Sequence, residues 1–268
     1  MPLLAMCSIK GPGVTTAALG LAAVADESAR VVLVECDPAG GDLMLRHGLA
    51  AKPNVVDLAS AARANGSDSA VYRTVVQALH VGDRAVEVVV APAGGAQSRA
   101  ALPELTRAGQ LVLNPPDRLV VADCGRFEAL SAARPILALA DVVAVVVRAT
   151  ADALAHLEEH LGELLDVVTG RLLVLLAHGG IYDETDVADV LGRYVAEELM
   201  GPVDQMAVHG PLPEDRRAAA LLGGGLVAGR RWRRLPLLRS LDRIAGELAP
   251  LLAIAPQGGA ASRTDVPG

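Results

Sequence analysis

The stretch SIKGPGVTTAALGLAA, Ser8 to Ala23, decides how the rest of the chain is read. It starts at the end of an apolar run, LLAMCSI (Leu3–Ile9), and passes two glycines. It then continues as an alanine-rich segment of helical length, Thr15–Ala25. Gly11 and Gly13 suit a sharp connection, because glycine tolerates backbone angles closed to other residues. The stretch predicts a strand, a glycine turn and a helix.

The same alternation repeats along the chain. Further apolar runs are RVVLVECD (Arg30–Asp37), AVEVVVAP (Ala85–Pro92), RLVVADCG (Arg118–Gly125), DVVAVVVRA (Asp141–Ala149), RLLVLLAHG (Arg171–Gly179) and VDQMAVHG (Val203–Gly210). Between them lie helical segments at Val55–Ala64, Ser69–Leu79, Arg99–Ala108, Ala129–Leu139, Ala151–Val168 and Glu184–Glu198. Continuous apolar strands alternating with helices imply βαβ units and a parallel sheet buried on both sides. The expected fold is α/β: a doubly wound, mostly parallel sheet of about seven or eight strands with helices on both faces.

Residues 1–254 are expected to form a single domain, and the Gly-, Pro- and Ser-containing tail, 255–268, to be disordered. Before the tail, LPLLRSLDRIAGELAPLLAIA (Leu235–Ala255) reads as an amphipathic closing helix. Docking on the sheet is favoured over a membrane surface, since Arg239 and Arg243 are its only basic residues and it has no Trp or Phe anchor.

Of the 268 residues, 52% are hydrophobic but only 2% aromatic, so the core must be built from Ala, Val and Leu. A net charge of −7 argues against wholesale nucleic-acid binding. Cys7, Cys36 and Cys124 lie in or beside strand-like runs without metal-ligand spacing, which suits core thiols in a reducing compartment. No apolar run approaches the roughly 18 residues of a membrane span, and no leader precedes the first strand, so a cytoplasmic location is expected. His156 and His160 stand four apart on a helix among carboxylates, and no metal motif is assigned to the histidines.

The glycine turn also carries a chemical expectation. Backbone N–H groups converging at a helix N-terminus bind anions. In the usual phosphate loop a lysine reaches the β/γ-phosphates and the following Ser/Thr holds Mg²⁺. Here Val14 stands where that lysine is expected, and Pro12 removes one N–H donor. A plain turn between strand and helix is the alternative. Asp37, in VLVECDPAGGDL, and Asp123, in VVADCGR, fall at the carboxyl ends of strands, where ligands gather in open parallel sheets. Asp37 alternatively caps the DPAG turn. Glu35, on the same face as Asp37, must be paired or reach the cleft.

With PLPEDRRAAALLGGG, these stretches resemble the ParA/MinD family of deviant Walker ATPases, whose members position DNA, division proteins or polar machinery. The likeness is to the divergent ParA-like branch of high-GC bacteria and spans roughly Leu3 to Leu252. It implies a P-loop NTPase-like fold, ATP and Mg²⁺ as cofactors, and a nucleotide-dependent homodimer. Lys10 matches the signature lysine that reaches the other subunit's phosphates, against the alternative of a solvated loop lysine. Gly11, Gly13 and Val14 form the loop, Thr15 matches the Mg²⁺-binding hydroxyl, and Thr16 lies near the α-phosphate. Asp37 matches the residue that positions the attacking water, and Asp123 the Walker B carboxylate. Pro211, Pro213 and Asp215 fall where the family packs backbone against adenine.

The departures bear on activity. The family writes K-G-G-x-G-K-T-T, whereas this chain writes KGPGVTT, one residue shorter and without the clamping lysine. LLAHGG also lacks the Asn with which relatives often read adenine. Truncating a desolvated charge pair costs about 2–5 kcal/mol, or roughly 30- to several-thousand-fold in affinity. Millimolar ATP could still fill such a site. Fast γ-phosphoryl transfer is not expected, because its catalysis is mostly electrostatic positioning. Two functions follow: an ATP-binding positioning protein with weak or absent hydrolysis, or a pseudo-ATPase scaffold that localises a partner such as a Tad-type pilus or secretion apparatus.

A basic stretch, RRAAALLGGGLVAGRRWRRLPLLR, holds Arg216, Arg217, Arg230, Arg231, Arg233, Arg234 and Arg239 around Trp232. It suits nonspecific DNA, an acidic protein partner, or a solvated face packed by Trp232.

Overall fold

The structure is a computed structural model that describes residues 2–10, 13–26, 29–65, 69–107 and 112–252. Gly11, Pro12 and the tail 255–268 lie outside the described residues. The first half runs β1 (Leu3–Ser8), α1 (Val14–Val24), β2 (Val31–Glu35), α2 (Leu43–His47), α3 (Val55–Asn65), α4 (Tyr72–Val75), β3 (Gln77–Val81), β4 (Arg84–Val89) and α5 (Gly95–Arg107). The second half runs β5 (Leu119–Arg126), α6 (Arg134–Leu139), β6 (Val142–Arg148), α7 (Ala151–Val167), β7 (Arg171–Ala177), α8 (Glu184–Glu197), β8 (Met206–Leu212), α9 (Arg216–Leu222) and α10 (Pro236–Leu248).

The strands form an eight-stranded sheet in the order β3-β4-β2-β5-β1-β6-β7-β8. The β3–β4 pair is antiparallel and the other pairs are parallel. Side chains alternate across a strand, so β1 divides its residues between two cores. Leu3, Ala5 and Cys7 join α3, α5, α6, α7 and α8 on one face. Leu4 and Met6 join α1, α9 and α10 on the other. Burial on both faces explains why β1, β5 and β6 read as unbroken apolar runs.

On the second face the closing helix packs against α1, burying Leu237, Leu238, Leu241, Ile244 and Leu248. The helices approach closely at Gly20, where a Cβ would lie 2.4 Å from Cδ1 of Leu241.

Several sequence expectations need correction: the helix expected over Ala129–Leu139 begins at Arg134, and the closing helix expected over Leu235–Ala255 ends at Leu248. The helix expected over Ser69–Leu79 ends at Val75, and Gln77–Val81 forms the edge strand β3 instead. Leu79 and Val81 point inward while Ala78 and His80 are exposed, and Gly82, with φ 67°, turns the chain into β4. The last strand is also displaced: Val203–Gln205 is a 3₁₀ turn, and β8 runs from Met206 to Leu212.

Candidate functional site

The topology sets where a ligand belongs. α1, leaving β1, and α6, leaving β5, lie on opposite faces of the sheet, although β1 and β5 are neighbours. Such a reversal opens a crevice at the carboxyl ends of the strands. Gly13, Thr15, Asp37 and Asp123 all fall at this end of β1, β2 and β5.

Gly13 is the N-cap of α1, with φ 117° in the left-handed region and no side-chain cap. Among the described residues, a Cβ there would meet nothing within 4 Å. The first hydrogen bond within the helix is from the Ala17 N–H to the Gly13 carbonyl. The N–H groups of Val14, Thr15 and Thr16 therefore have no acceptor inside α1. By contrast, a capping box of Asp183 and Asp186 closes α8, and Asp215 caps α9.

The Val14 side chain is 5% exposed and belongs to the core beneath α1, with Leu4 and Met6. Lys10 is exposed, and its Nζ lies 3.0 Å from Nε2 of His156 on α7. The loop thus keeps backbone donors while its neighbouring side chains are committed elsewhere.

Asp123 is 1% exposed. The Thr15 side chain and the Gly125 N–H (3.1 Å) hydrogen-bond its carboxylate. Burial, assisted by the charges of Glu35 and Asp37, still pushes its pKa up to about 7. A buried carboxylate beside a hydroxyl, below a helix N-terminus with no side-chain cap, is a donor set that fits a divalent cation carrying a phosphate.

Asp37 is half-buried and its Oδ1 accepts the Ala39 N–H at 2.7 Å, so the turn-capping reading holds for one oxygen. Burial raises its pKa, and nearby Asp42 and Glu128 add to the rise. A Cβ on Gly125, where φ is +62°, would lie 2.2 Å from Oδ2 of Asp37. Only glycine leaves room for the carboxylate to lie against β5.

Glu35 does not reach the cleft as a free group. Its Oε1 accepts the Asp42 and Leu43 N–H groups, both at 2.9 Å, and its Oε2 accepts the Ala91 N–H at 2.8 Å. It fastens the chain after Asp37 to the end of β4, and Gly41 packs on its carboxylate. Burial nevertheless raises its pKa from the ordinary value, against the lowering by its three backbone hydrogen bonds.

Pro211, Pro213 and Asp215 sit at and beyond the carboxyl end of β8, three strands from β1 in the sheet order. The Asp215 Oδ1 accepts the Arg217 and Ala218 N–H groups at 3.1 and 2.9 Å, which gives this residue a structural task. Pro211 lines a cavity of about 500 Å³ with Ala149, His178, Gly180, Tyr182 and Glu184. A larger cavity, about 1030 Å³, lies between α1 and α10 at the amino ends of the strands, away from Thr15 and Asp123.

Arg216, Arg217, Arg230, Arg231, Arg233 and Arg234 are all exposed. Trp232 among them is 5% exposed, donates from Nε1 to Oδ1 of Asp83 at 2.8 Å, and covers Gly82. This places Trp232 on the β3–β4 hairpin turn, at the opposite end of the sheet from the candidate site.

Sequence reasoning missed Arg126. This exposed residue ends β5, pairs in register with Ser8, and donates from Nε to the Ile9 carbonyl at 2.9 Å. Its position depends on a register shift between Met6 and Ser8 that the residue pattern does not announce.

No family model matches the chain, and no curated protein matches it by sequence. Solved structures do. MinD, the cell-division ATPase of Pyrococcus furiosus, superposes with a TM-score of 0.68 at 18% identity, covering 93% of this chain and 99% of its own. The chain has the ParA/MinD fold. A ParA family ATPase from Chlorobium tepidum gives 0.68 at 15% identity, covering 92% and 98%. The same architecture serves a synthase: cobyrinic acid a,c-diamide synthase from Mycobacterium smegmatis, solved with an ATP analogue and magnesium, gives 0.59 at 22% identity, covering 92% and 94%. Among the described residues, no helix of this ParA/MinD-like chain is long and apolar enough to cross a membrane.

Proposed function

We propose that the chain, as one domain over residues 1–254, binds ATP and Mg²⁺ on the loop between β1 and α1 and acts as a positioning protein of the ParA/MinD type. The observation that carries this reading is the meeting of Thr15 with Asp123 below a helix N-terminus that has no side-chain cap. The N–H groups of Gly13, Val14, Thr15 and Thr16 would line the phosphates, Thr15 and Asp123 would hold the metal, and Asp37 would orient water. With ATP and Mg²⁺ bound the chain would form a homodimer, in which Lys10 would leave His156 and act across the interface. Pro211, Pro213 and Asp215 flank the base through backbone contacts.

Hydrolysis is slow or absent on this reading, because the side chain at the clamping position is Val14, buried in the core. That same burial favours a second reading, a scaffold that recruits a partner without nucleotide switching. The exposed arginines from Arg216 to Arg234 are the surface offered to an acidic partner or to DNA.

Calorimetric titration with ATP and Mg²⁺, beside ADP and a Lys10→Ala control, tests the two. Saturable, Mg²⁺-dependent binding at or below millimolar concentration supports the first reading. No heat and no thermal shift at several millimolar ATP leaves the scaffold.

A further inference from the structure

A polyphosphate on the β1–α1 loop needs positive charge beyond backbone dipoles, since charge-assisted contacts are roughly twice as strong as neutral ones. Within one protomer the loop does not supply it: Val14 is in the core, and Lys10, which lies on His156, serves the other subunit's phosphates on the reading above. The strands on either side of β1 are β5 and β6, and each ends in an exposed arginine, Arg126 and Arg148. Only the first is tied to the loop among the described residues. The Phe127 N–H donates to the Ser8 carbonyl at 2.8 Å, and the Arg126 Nε donates to the Ile9 carbonyl at 2.9 Å. These bonds hold the guanidinium beside the backbone that leads into Lys10. Neither Nη amino group of Arg126 has a carboxylate or carbonyl partner among the described residues.

We propose that Arg126 is the nucleotide-binding cation of this chain, a substitute on β5 for the lysine that the loop lacks. The inference rests on the ATP reading given above. Arginine suits the task, because Nε can stay on the Ile9 carbonyl while the two Nη groups grip a phosphate. The anchored stem also leaves less side-chain freedom to lose on binding.

The test is calorimetric titration of the full chain with ATP, ADP and AMP in Mg²⁺, comparing wild type with Arg126→Gln and Arg126→Ala. The glutamine amide nitrogen stands at the same point along the side chain as the arginine Nε. Arg126→Gln therefore retains a donor for Ile9 while losing the charge and the fork. It should weaken ATP about 10- to 100-fold, ADP less and AMP least, with the melting temperature unchanged. Arg126→Ala should match or exceed that loss. Wild-type affinity for ATP in Arg126→Gln overturns the proposal and leaves the ATP reading standing. Equal losses for ATP and AMP overturn the phosphate role too, because they mark a structural effect on the loop. Failure of the wild type itself to bind ATP removes the parent reading and this inference together.

Discussion

Thr15 on α1 hydrogen-bonds the carboxylate of Asp123 on β5, joining the first helix to the strand beside it at a point where Asp123 is 1% exposed. The pair is a metal-holding arrangement on the reading above, and it has a cost without a ligand. The Asp123 pKa rises from 3.8 to about 7. Below pH 4 the group is protonated in both states. Between pH 4 and 7 the unfolded chain loses the proton that the folded chain keeps, so rising pH removes stability. Above pH 7 the full cost remains.

Asp123→Asn should therefore gain on wild type as pH rises from 4 to 7, by on the order of 2–4 kcal/mol, and hold that gain above pH 7. Urea midpoints of both proteins across this range give the answer. Parallel profiles would show that Asp123 does not carry the buried charge.

Glu35 should matter to stability more than to chemistry. Removing its carboxylate in Glu35→Ala strips the acceptor from the N–H groups of Asp42, Leu43 and Ala91. Each unsatisfied buried donor costs about 1–3 kcal/mol, with losses that do not simply add, so a total near 3–5 kcal/mol is expected. Hydrogen exchange at Leu43 and Ala91 should accelerate before the rest of the sheet. Unchanged protection at both amides would contradict the fastening role.

Restoring the missing lysine in place should fail. Val14 packs in the core with Leu4 and Met6, and an ammonium introduced there must be buried or drag its stem outward. Val14→Lys is expected to cost about 2–4 kcal/mol, the range for an unpaired charge in a core, without raising ATP affinity. Full stability together with tighter ATP binding would mean that the position faces the ligand.

Much of this fold is legible in the sequence because burial on both sides leaves the central strands without polar interruptions. β3 was hidden for the opposite reason. Its QALHV pattern is half-exposed on an edge and continues a helical segment, so only Gly82 and Asp83 signalled a hairpin. In the candidate site, Asp37 and Asp123 are legible as acids at strand ends. The partnership of Thr15 with Asp123 follows from the sheet order, which brings β5 beside β1, and local pattern cannot supply that. The sequence marks Glu35 as a charge needing partners, but those partners are backbone groups of Asp42, Leu43 and Ala91, invisible to residue type.

The basic stretch provides a last test, with its own optical probe. Trp232 is the chain's single tryptophan, and it is held on the β3–β4 turn by Asp83, over a glycine at which a Cβ would lie 2.3 Å from Nε1. Its emission should be that of a buried indole. Gly82→Ala adds a methyl against the ring at a backbone angle that favours glycine, so the ring must lift. Red-shifted fluorescence and a loss of about 1–3 kcal/mol are expected, the cost of overpacking a fitted contact. The arginines beside it, from Arg230 to Arg234, would then lose their common support. A partner or polyanion bound through them should weaken in Gly82→Ala without any substitution of an arginine. Unshifted emission would place the tryptophan free of the hairpin and remove the common support argued for the arginines.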